Sequence, residues 1–247
     1  MRFLDLTLPT AAENLALDEA LLLCAEAGAG REVLRFWEQS DPAVVLGAGC
    51  RLAEDVAEAA CRSDGVPILR RASGGGTVLL DRGCLLYTLV LDTERAPELA
   101  GIRSSYASIL SRVGEALSPL TPTPSPPRGE EDVVPAGISD LAAAGRKLSG
   151  NAQQRKRRFL LHHGTLLYAF NLGRVGRYLL PPLRQPEYRG GRDHAAFLRN
   201  LNLPAEEIKR RLCTAWEADE PEADWPQERV RSLVAEKYAV EEWIRRR

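Results

Sequence analysis

The stretch RRASGGGT at residues 70–77 sets three consecutive glycines directly behind a basic pair. Glycine packs nothing and loses backbone entropy, so a triplet indicates a backbone that bends unusually or lies against a ligand. The guanidinium groups of Arg70 and Arg71 have a fork geometry suited to a carboxylate or a phosphate. A tight turn beside a surface charge pair is the alternative, since Gly-Gly is a common turn marker.

A second stretch, GRKLSGNAQQR at residues 145–155, places one lysine between two glycines. Lys147 carries a compact positive charge, which can stabilise an oxyanion or a phosphate as negative charge grows in a transition state. A solvated strand lysine is the alternative role. The same predicted strand carries Ser149, Asn151 and Gln153, and the sequence leaves open which alternate set faces a ligand.

Histidines and cysteines limit the other kinds of chemistry. His162 and His163 are neighbours on a predicted strand and therefore point to opposite faces, so at most one of them lies in a site, and a two-histidine metal site is not expected. No CxxC pair occurs among the five cysteines, which are Cys24, Cys50, Cys61, Cys84 and Cys213. An odd number of scattered cysteines fits reduced thiols, so we expect a cytoplasmic protein.

The surrounding patterns predict a scaffold of mixed helices and strands. Helical spacing covers residues 11–27, 53–65, 104–117, 205–217 and 226–239. Apolar runs predict strands at 33–39 and 43–49, which we expect to form an antiparallel pair, at 67–80 and 83–92 around the glycines, and three times within 136–170. Strict βαβ alternation is absent. We therefore expect an α+β fold with a mostly antiparallel sheet flanked by helices.

Composition excludes several classes of partner. The 247 residues are 45% hydrophobic and 27% charged, with a formal net charge of −1, so a chain-wide polyanion-binding surface and a nucleic-acid partner are not expected. The acidic N-terminal segment does not fit a signal peptide, and no apolar stretch is long enough for a membrane span. Residues 118–132 are rich in proline, and we expect them to form an extended, solvated loop without a catalytic role.

Two segments, RRASGGGTVLLDRGCLLYTLVL and GRKLSGNAQQRKRRFLLHHGTLLY, together resemble the paired signatures of lipoate-protein ligases and octanoyltransferases, which share a fold with biotin-protein ligases. Weaker similarity extends through ENLALDEALL near the start and LVAEKYAVEEW near the end. The resemblance therefore implies one catalytic domain over residues 1–247, without the C-terminal accessory domain that many such ligases carry.

The resemblance also assigns roles to residues. It implies that Lys147 contacts the acyl carbonyl and the α-phosphate of an acyl adenylate, and that Asp140 lies near the nucleotide and its Mg²⁺. It implies a substrate-binding set of Arg70, Arg71, Ser73, Gly74, Gly75, Gly76, Thr77, Gly150, Ala152, His163 and Gly164. Two positions depart from the pattern of many ligases, because Ser139 replaces an asparagine and Leu80 replaces a histidine.

Three functions fit this resemblance. The first is a lipoate-protein ligase that uses ATP and Mg²⁺ to activate lipoate or octanoate, either alone or with a separately encoded accessory subunit. The second is an octanoyl or lipoyl transferase, but such enzymes carry a nucleophilic cysteine shortly before the lysine strand and residues 130–147 contain none. Cys84 is the only cysteine close to the motifs in the sequence, and because it stands in an apolar strand we expect it to be a packed core residue.

The third function is a non-catalytic lipoate-binding paralogue, which Leu80 and Ser139 keep open. The ligase is the favoured prediction, because it requires no covalent enzyme intermediate. It implies transfer to a lysine of an acceptor, either a lipoyl domain of a 2-oxoacid dehydrogenase complex or the glycine cleavage H protein.

Overall fold

The computed structural model describes residues 1–118 and 132–246. Within them, eight strands form a large sheet in the order β11–β1–β2–β6–β10–β9–β8–β7. Their bounds are β1 Arg2–Asp5, β2 Val33–Glu38, β6 Cys84–Asp92, β7 Val134–Ala136, β8 Asp140–Ala143, β9 Arg146–Arg155, β10 Phe159–Leu167 and β11 Glu220–Pro221. β1 runs parallel to β11 and β2, and the other neighbours are antiparallel. The predicted α+β fold with a mostly antiparallel sheet is confirmed.

A smaller sheet carries the glycine triplet. Its central strand β3 (Ala43–Leu46) lies between β4 (Ile68–Arg70) and β5 (Val78–Leu80). The predicted pairing of residues 33–39 with 43–49 was wrong, because both edges of β2 are already paired, with β1 and with β6. The turn after β2 therefore leads the chain into the second sheet.

Both faces of the large sheet are buried. Along β6, Cys84, Leu86 and Val90 pack towards helix α1 (Ala11–Glu26) and the smaller sheet. The alternate residues of β6 pack on the opposite side, against helices α5 (Ile102–Leu117) and α8 (Ala205–Trp216): Leu85, Tyr87, Leu89 and Leu91. A period of two thus supplies two apolar layers from one strand, which explains why its sequence is an almost continuous apolar run.

The helices cover these faces. Their bounds are α1 Ala11–Glu26, α2 Leu52–Asp55, α3 Glu58–Asp64, α4 Pro97–Ala100, α5 Ile102–Leu117, α6 Val175–Tyr178, α7 His194–Phe197, α8 Ala205–Trp216, α9 Gln227–Leu233 and α10 Glu241–Arg245. A π-helical turn over Val234–Tyr238 continues α9, and 3₁₀ turns occupy Leu172–Arg174 and Glu187–Arg189. The helix predicted over 53–65 is divided into α2 and α3. No helix among the described residues is long and apolar enough to cross a membrane.

Helix α1 is more deeply enclosed than its sequence pattern predicts. A capping box between Thr10 and Glu13 begins the helix. Burial then extends around most of its circumference and includes the charged residues Asp18 and Glu19, whereas Leu21 and Cys24 are only partly buried. Two carboxylates are thereby placed inside the protein. The predicted proline-rich loop at 118–132 falls almost entirely outside the described residues.

Candidate active site

Arg71 shapes the glycine loop, residues 73–77, which connects β4 to β5. Its Nη2 donates hydrogen bonds to the carbonyl oxygens of Gly74 (2.6 Å) and Gly76 (2.8 Å), and its Nε donates to Ser73 Oγ at 3.0 Å. Burial lowers the pKa of Arg71 to about 10, so the group stays charged at neutral pH. One buried guanidinium therefore holds the loop in its bent path.

The three glycines have different roles. Gly75 has φ of +83°, and a Cβ atom there would lie 2.9 Å from Arg71 Nη2. Gly47, after β3, allows the loop to approach, since a Cβ there would collide with the Gly75 carbonyl. A Cβ at Gly74 or Gly76 would meet nothing within 4 Å. The loop is thus a tight turn that requires glycine at position 75, with open space beside Gly74 and Gly76.

Arg70 points away from this loop, as strand alternation requires. Its side chain is fully buried and donates to the carbonyl oxygens of Gly47 (2.9 Å), Cys50 (2.7 Å) and Ile244 (2.9 Å). In return, Trp243 Nε1 donates to the Arg70 carbonyl at 2.8 Å. These contacts join the C-terminal helix to the glycine-loop strand, and the substrate-binding role of Arg70 stays a prediction.

Lys147 lies at the other end of the site, on β9. Its Nζ is 2.8 Å from Asp140 Oδ1, and it crosses over Gly150, where a Cβ would lie 2.9 Å from Nζ. The Lys147 side chain is 26% exposed, whereas that of Asp140 is 10% exposed. The cation can therefore be reached from solvent while its partner is enclosed.

Asp140 uses both carboxylate oxygens. Tyr188 Oη donates to Asp140 Oδ2 at 2.8 Å, while Oδ1 faces Lys147. Burial, followed by the charge of Asp140, raises the pKa of Tyr188, so the phenol remains a donor at neutral pH. The described residues contain no group of three His, Cys, Asp or Glu side chains that could hold a metal ion. Mg²⁺ is commonly held by one or two carboxylates together with substrate phosphates, so the predicted role of Asp140 as a metal ligand stays a prediction.

Between these ends, β9 directs its two faces to different partners. Ala152 faces the glycine loop, since its Cβ would lie 3.6 Å from a Cβ at Gly75. Asn151 turns the other way, and its Oδ1 accepts from Tyr87 Oη at 2.6 Å. Gly164 on β10 leaves room for this amide, because a Cβ there would collide with it. The even-numbered residues Gly150 and Ala152 therefore face the candidate site.

The adjacent histidines lie on opposite faces of β10, as predicted. His163 Nε2 is 2.6 Å from Ser73 Oγ, and its Nδ1 is 3.3 Å from Asp18 Oδ2. Asp18 also pairs with the buried Arg35 at 2.5 Å. Burial alone would raise the pKa of Asp18, but Arg35 and His163 lower it by more, so its pKa lies below the ordinary value. The ionised Asp18 thus faces Nδ1 of His163 and the Ser73 hydroxyl faces Nε2, so both ring nitrogens have a polar partner.

His162 has a structural environment. It is fully buried, with Nε2 3.2 Å from Tyr87 Oη and Nδ1 3.1 Å from Gln153 Nε2. Burial, with the neighbouring charge of His163, lowers the pKa of His162 to about 3. Its ring is therefore neutral and packed on the α5 side of the sheet.

The cysteine beside the glycine loop is Cys50, which the sequence analysis did not single out. Its half-buried Sγ lies 3.4 Å from the Gly75 carbonyl oxygen, near Thr77, whose Oγ1 donates to Asp55 Oδ2 at 2.5 Å. Burial and a hydrogen bond with Asp55 raise the pKa of Cys50. Cys84 is fully buried, as predicted, and burial raises its pKa as well. Neither thiol is activated.

Three site residues were missed from the sequence: Asp18, Cys50 and Tyr188. A signal existed for Asp18, because a carboxylate stands among leucines in LALDEALL. Cys50 follows Gly47 and Gly49 in the sequence. That the glycine loop approaches the backbone at Gly47 is visible only in the structure, so the sequence carried no signal for Cys50. Tyr188 had no signal, since the sequence pattern predicted no element between residues 170 and 205.

Comparisons with known proteins identify the family of the chain. Residues 10–217 match the family model described as "Lipoyl protein ligase A/B catalytic domain". The octanoyltransferase LipM of Moorella thermoacetica is 30% identical over 69% of this chain and 66% of its own length. LipM of Carboxydothermus hydrogenoformans is 29% identical over 98% of this chain and 97% of its own length.

A solved structure supports the same fold. The crystal structure of a lipoate-protein ligase A bound with ATP superposes with a TM-score of 0.79 at 22% identity, over 99% of this chain and 98% of the other. At this identity the likeness concerns the fold alone, whereas the family model matches most of the sequence. The chain therefore belongs to the lipoyl protein ligase A/B catalytic domain family.

Proposed function

We propose that this chain is a lipoate-protein ligase, which joins lipoate or octanoate to a lysine of an acceptor protein by way of an acyl adenylate. The observation that supports this most is the half-open Lys147, held between Asp140 and Gly150 on the strand that also borders the glycine loop. A cation in this position can stabilise negative charge on an acyl carbonyl and on the adjoining phosphate.

The reaction has two steps. In the first, the carboxylate of the acyl substrate attacks the α-phosphate of ATP, and pyrophosphate leaves. In the second, the amine of the acceptor lysine attacks the acyl carbonyl, and AMP leaves. Lys147 faces the same carbonyl and phosphate in both steps, and the open space beside Gly74 and Gly76 leaves backbone accessible to the substrate.

A transferase that works without ATP is the second candidate. Both relatives compared above are named octanoyltransferase LipM, and Cys50 Sγ lies beside the glycine loop at 3.4 Å from the Gly75 carbonyl oxygen. Such a route needs a thiolate, and the raised pKa of Cys50 opposes its formation. The raised pKa of Cys50 therefore favours the adenylate route, which needs no thiolate.

The acceptor is a lipoyl domain of a 2-oxoacid dehydrogenase complex or the glycine cleavage H protein. Each would present one lysine to the exposed side of Lys147. If the isolated chain forms the acyl adenylate slowly, we propose that a separately encoded accessory subunit assists this step.

Two parallel reactions test the proposal. One contains the chain, ATP, Mg²⁺, lipoate or octanoate, and an acceptor domain; the other replaces ATP and free acid with octanoyl carrier protein. The acceptor is then weighed by mass spectrometry. We expect the acceptor to gain one acyl group in the reaction that contains ATP and no acyl group in the other. A gain only with octanoyl carrier protein selects the transferase, and no gain in either reaction, with lipoate still bound, selects the non-catalytic paralogue.

A further inference from the structure

The segment from Pro186 to Arg199 folds over the hairpin that carries Lys147. Its backbone reaches the hairpin directly, because Arg199 N donates to the Lys147 carbonyl at 2.8 Å. Its side chains reach it as well, because Arg192 Nη2 donates to the Gly145 carbonyl at 2.9 Å. A Cβ at Gly137, in the turn before Asp140, would lie 3.6 Å from Pro186. The segment is thus anchored on both sides of β8.

Tyr188 is the residue by which this segment enters the site. The ring is packed at 5.1 Å between centroids against Phe197, and its carbonyl accepts from Arg192 Nη2 at 2.6 Å. Both backbone and ring are therefore fixed before the hydroxyl meets Asp140. The hydroxyl, as described above, donates to Asp140 Oδ2 at 2.8 Å.

We propose that Tyr188 is a positioning residue for acyl transfer: its hydroxyl fixes the Asp140 carboxylate so that the other oxygen holds the Lys147 ammonium over Gly150. A carboxylate bound through only one oxygen can rotate about its Cβ–Cγ bond, whereas one held at both oxygens cannot do so without breaking a hydrogen bond. Asp140 then serves as the counter-ion of Lys147. The inference rests on the proposed function only for its kinetic consequence.

The Tyr188→Phe variant removes the hydroxyl and keeps the ring that packs on Phe197. A matched control is Tyr168→Phe, because Tyr168 Oη donates to a carboxylate oxygen of Glu38 at the same 2.8 Å, away from Lys147. We expect Tyr188→Phe to lower kcat about 10-fold, with KM for the acyl substrate within about twofold of the wild type and the melting temperature unchanged. The control should keep the wild-type kcat.

A double variant separates positioning from a general weakening of the site. If Tyr188 acts through Asp140, Tyr188→Phe should cost little further kcat in an Asp140→Asn background. Equal losses in both backgrounds, or a kcat of Tyr188→Phe that matches the control, would overturn the inference.

A measurement without turnover keeps the inference separate from the proposed function. The sequence contains four lysines, Lys147, Lys156, Lys209 and Lys237, so acetic anhydride labelling can be followed at each by mass spectrometry. Lys156 is exposed and serves as the internal reference. Relative to Lys156, labelling of Lys147 should rise at least about threefold in Tyr188→Phe and stay unchanged in Tyr168→Phe, because a loosened carboxylate shields the amine less.

If the labelling of Lys147 relative to Lys156 is the same in Tyr188→Phe as in the wild type, Tyr188 does not fix the Asp140 carboxylate. This conclusion holds whether or not the chain transfers acyl groups. A wild-type chain that transfers no acyl group from either donor would instead contradict the proposed function, while the labelling result would still decide whether Tyr188 positions Asp140.

Discussion

Around Lys147 the candidate site is partly open, whereas around His163 it is closed. The Lys147 side chain is 26% exposed and has one carboxylate partner, Asp140. At the other end the side chains of Arg35 and Asp18 are 0% and 3% exposed, and His163 is held from both of its ring nitrogens. A cation with one partner can exchange it for a substrate, but a buried network cannot release a member cheaply.

The difference indicates separate tasks for the two ends. The Lys147 end is suited to meet charge that develops during a reaction. The Ser73–His163 end fixes the start of the glycine loop against α1 and β10. Substitutions at the first end should therefore change turnover, and substitutions at the second should change stability.

The largest effect is expected at Lys147. Lys147→Ala should lower acyl transfer about 1,000-fold, equivalent to about 4 kcal/mol, because it removes the cation that we propose stabilises the developing charge. Turnover is measured by the mass gain of an acceptor domain, and the control is Lys156→Ala. A folded Lys147→Ala protein with near-normal turnover would remove the assignment.

A large loss of stability is expected at Asp18. Asp18→Asn leaves the Arg35 guanidinium buried without its counter-ion, which should lower the free energy of unfolding by about 3 kcal/mol. Urea unfolding at pH 7 measures this. The control is Asp5→Asn, whose exposed ion pair with Lys209 should contribute less than about 1 kcal/mol. Equal losses in the two variants would mean that the buried network does not stabilise the fold.

A smaller effect should appear as the pH falls. His162 binds a proton near pH 6.5 in the unfolded chain but only near pH 3 in the folded chain. Between these pH values the unfolded state binds more protons, so the free energy of unfolding decreases as the pH is lowered. Between pH 6.5 and pH 5 the loss should be about 1 to 2 kcal/mol. In urea unfolding, His162→Gln should lack this part of the pH dependence. Identical pH dependence in the two proteins would contradict the buried, neutral ring.

The glycine loop allows a test between a turn and a ligand wall. Gly75→Ala should lower the free energy of unfolding by about 1 to 2 kcal/mol, because φ is +83° there. Gly74→Ala meets open space and should leave stability unchanged, yet it should weaken lipoate binding in calorimetry. Unchanged lipoate affinity in Gly74→Ala would show that the loop is only a turn.

The features of the site that depend on neighbouring residues in the sequence could be predicted. Alternation along FLLHHGTLL separated His163 from His162, and the glycines around Lys147 marked its strand. The pairing of 33–39 with 43–49 failed because a short turn between two apolar runs does not say which edges are already taken. β2 has partners from residues 2–5 and 84–92, which no local pattern shows.

The partners of the site residues were the least predictable part. Asp18 meets His163 across 145 positions, and Tyr188 meets Asp140 across 48, so only the folded sheet brings them together. Arg70 and Arg71 illustrate the same limit. Their identical side chains predicted one shared role, but alternation sends Arg71 into the glycine loop and Arg70 towards the C-terminal helix.

The central claim is that the chemistry depends on the Lys147 cation and not on a thiol, and Cys50→Ser tests it most directly. Among the five cysteines, all of which lie in the described part of the chain, Cys50 has its Sγ against the glycine loop. The variant should acylate the acceptor with ATP at a rate within about twofold of the wild type, since the raised pKa of Cys50 opposes a thiolate. A folded Cys50→Ser protein without turnover, together with an octanoyl adduct on Cys50 of the wild type, would contradict the claim.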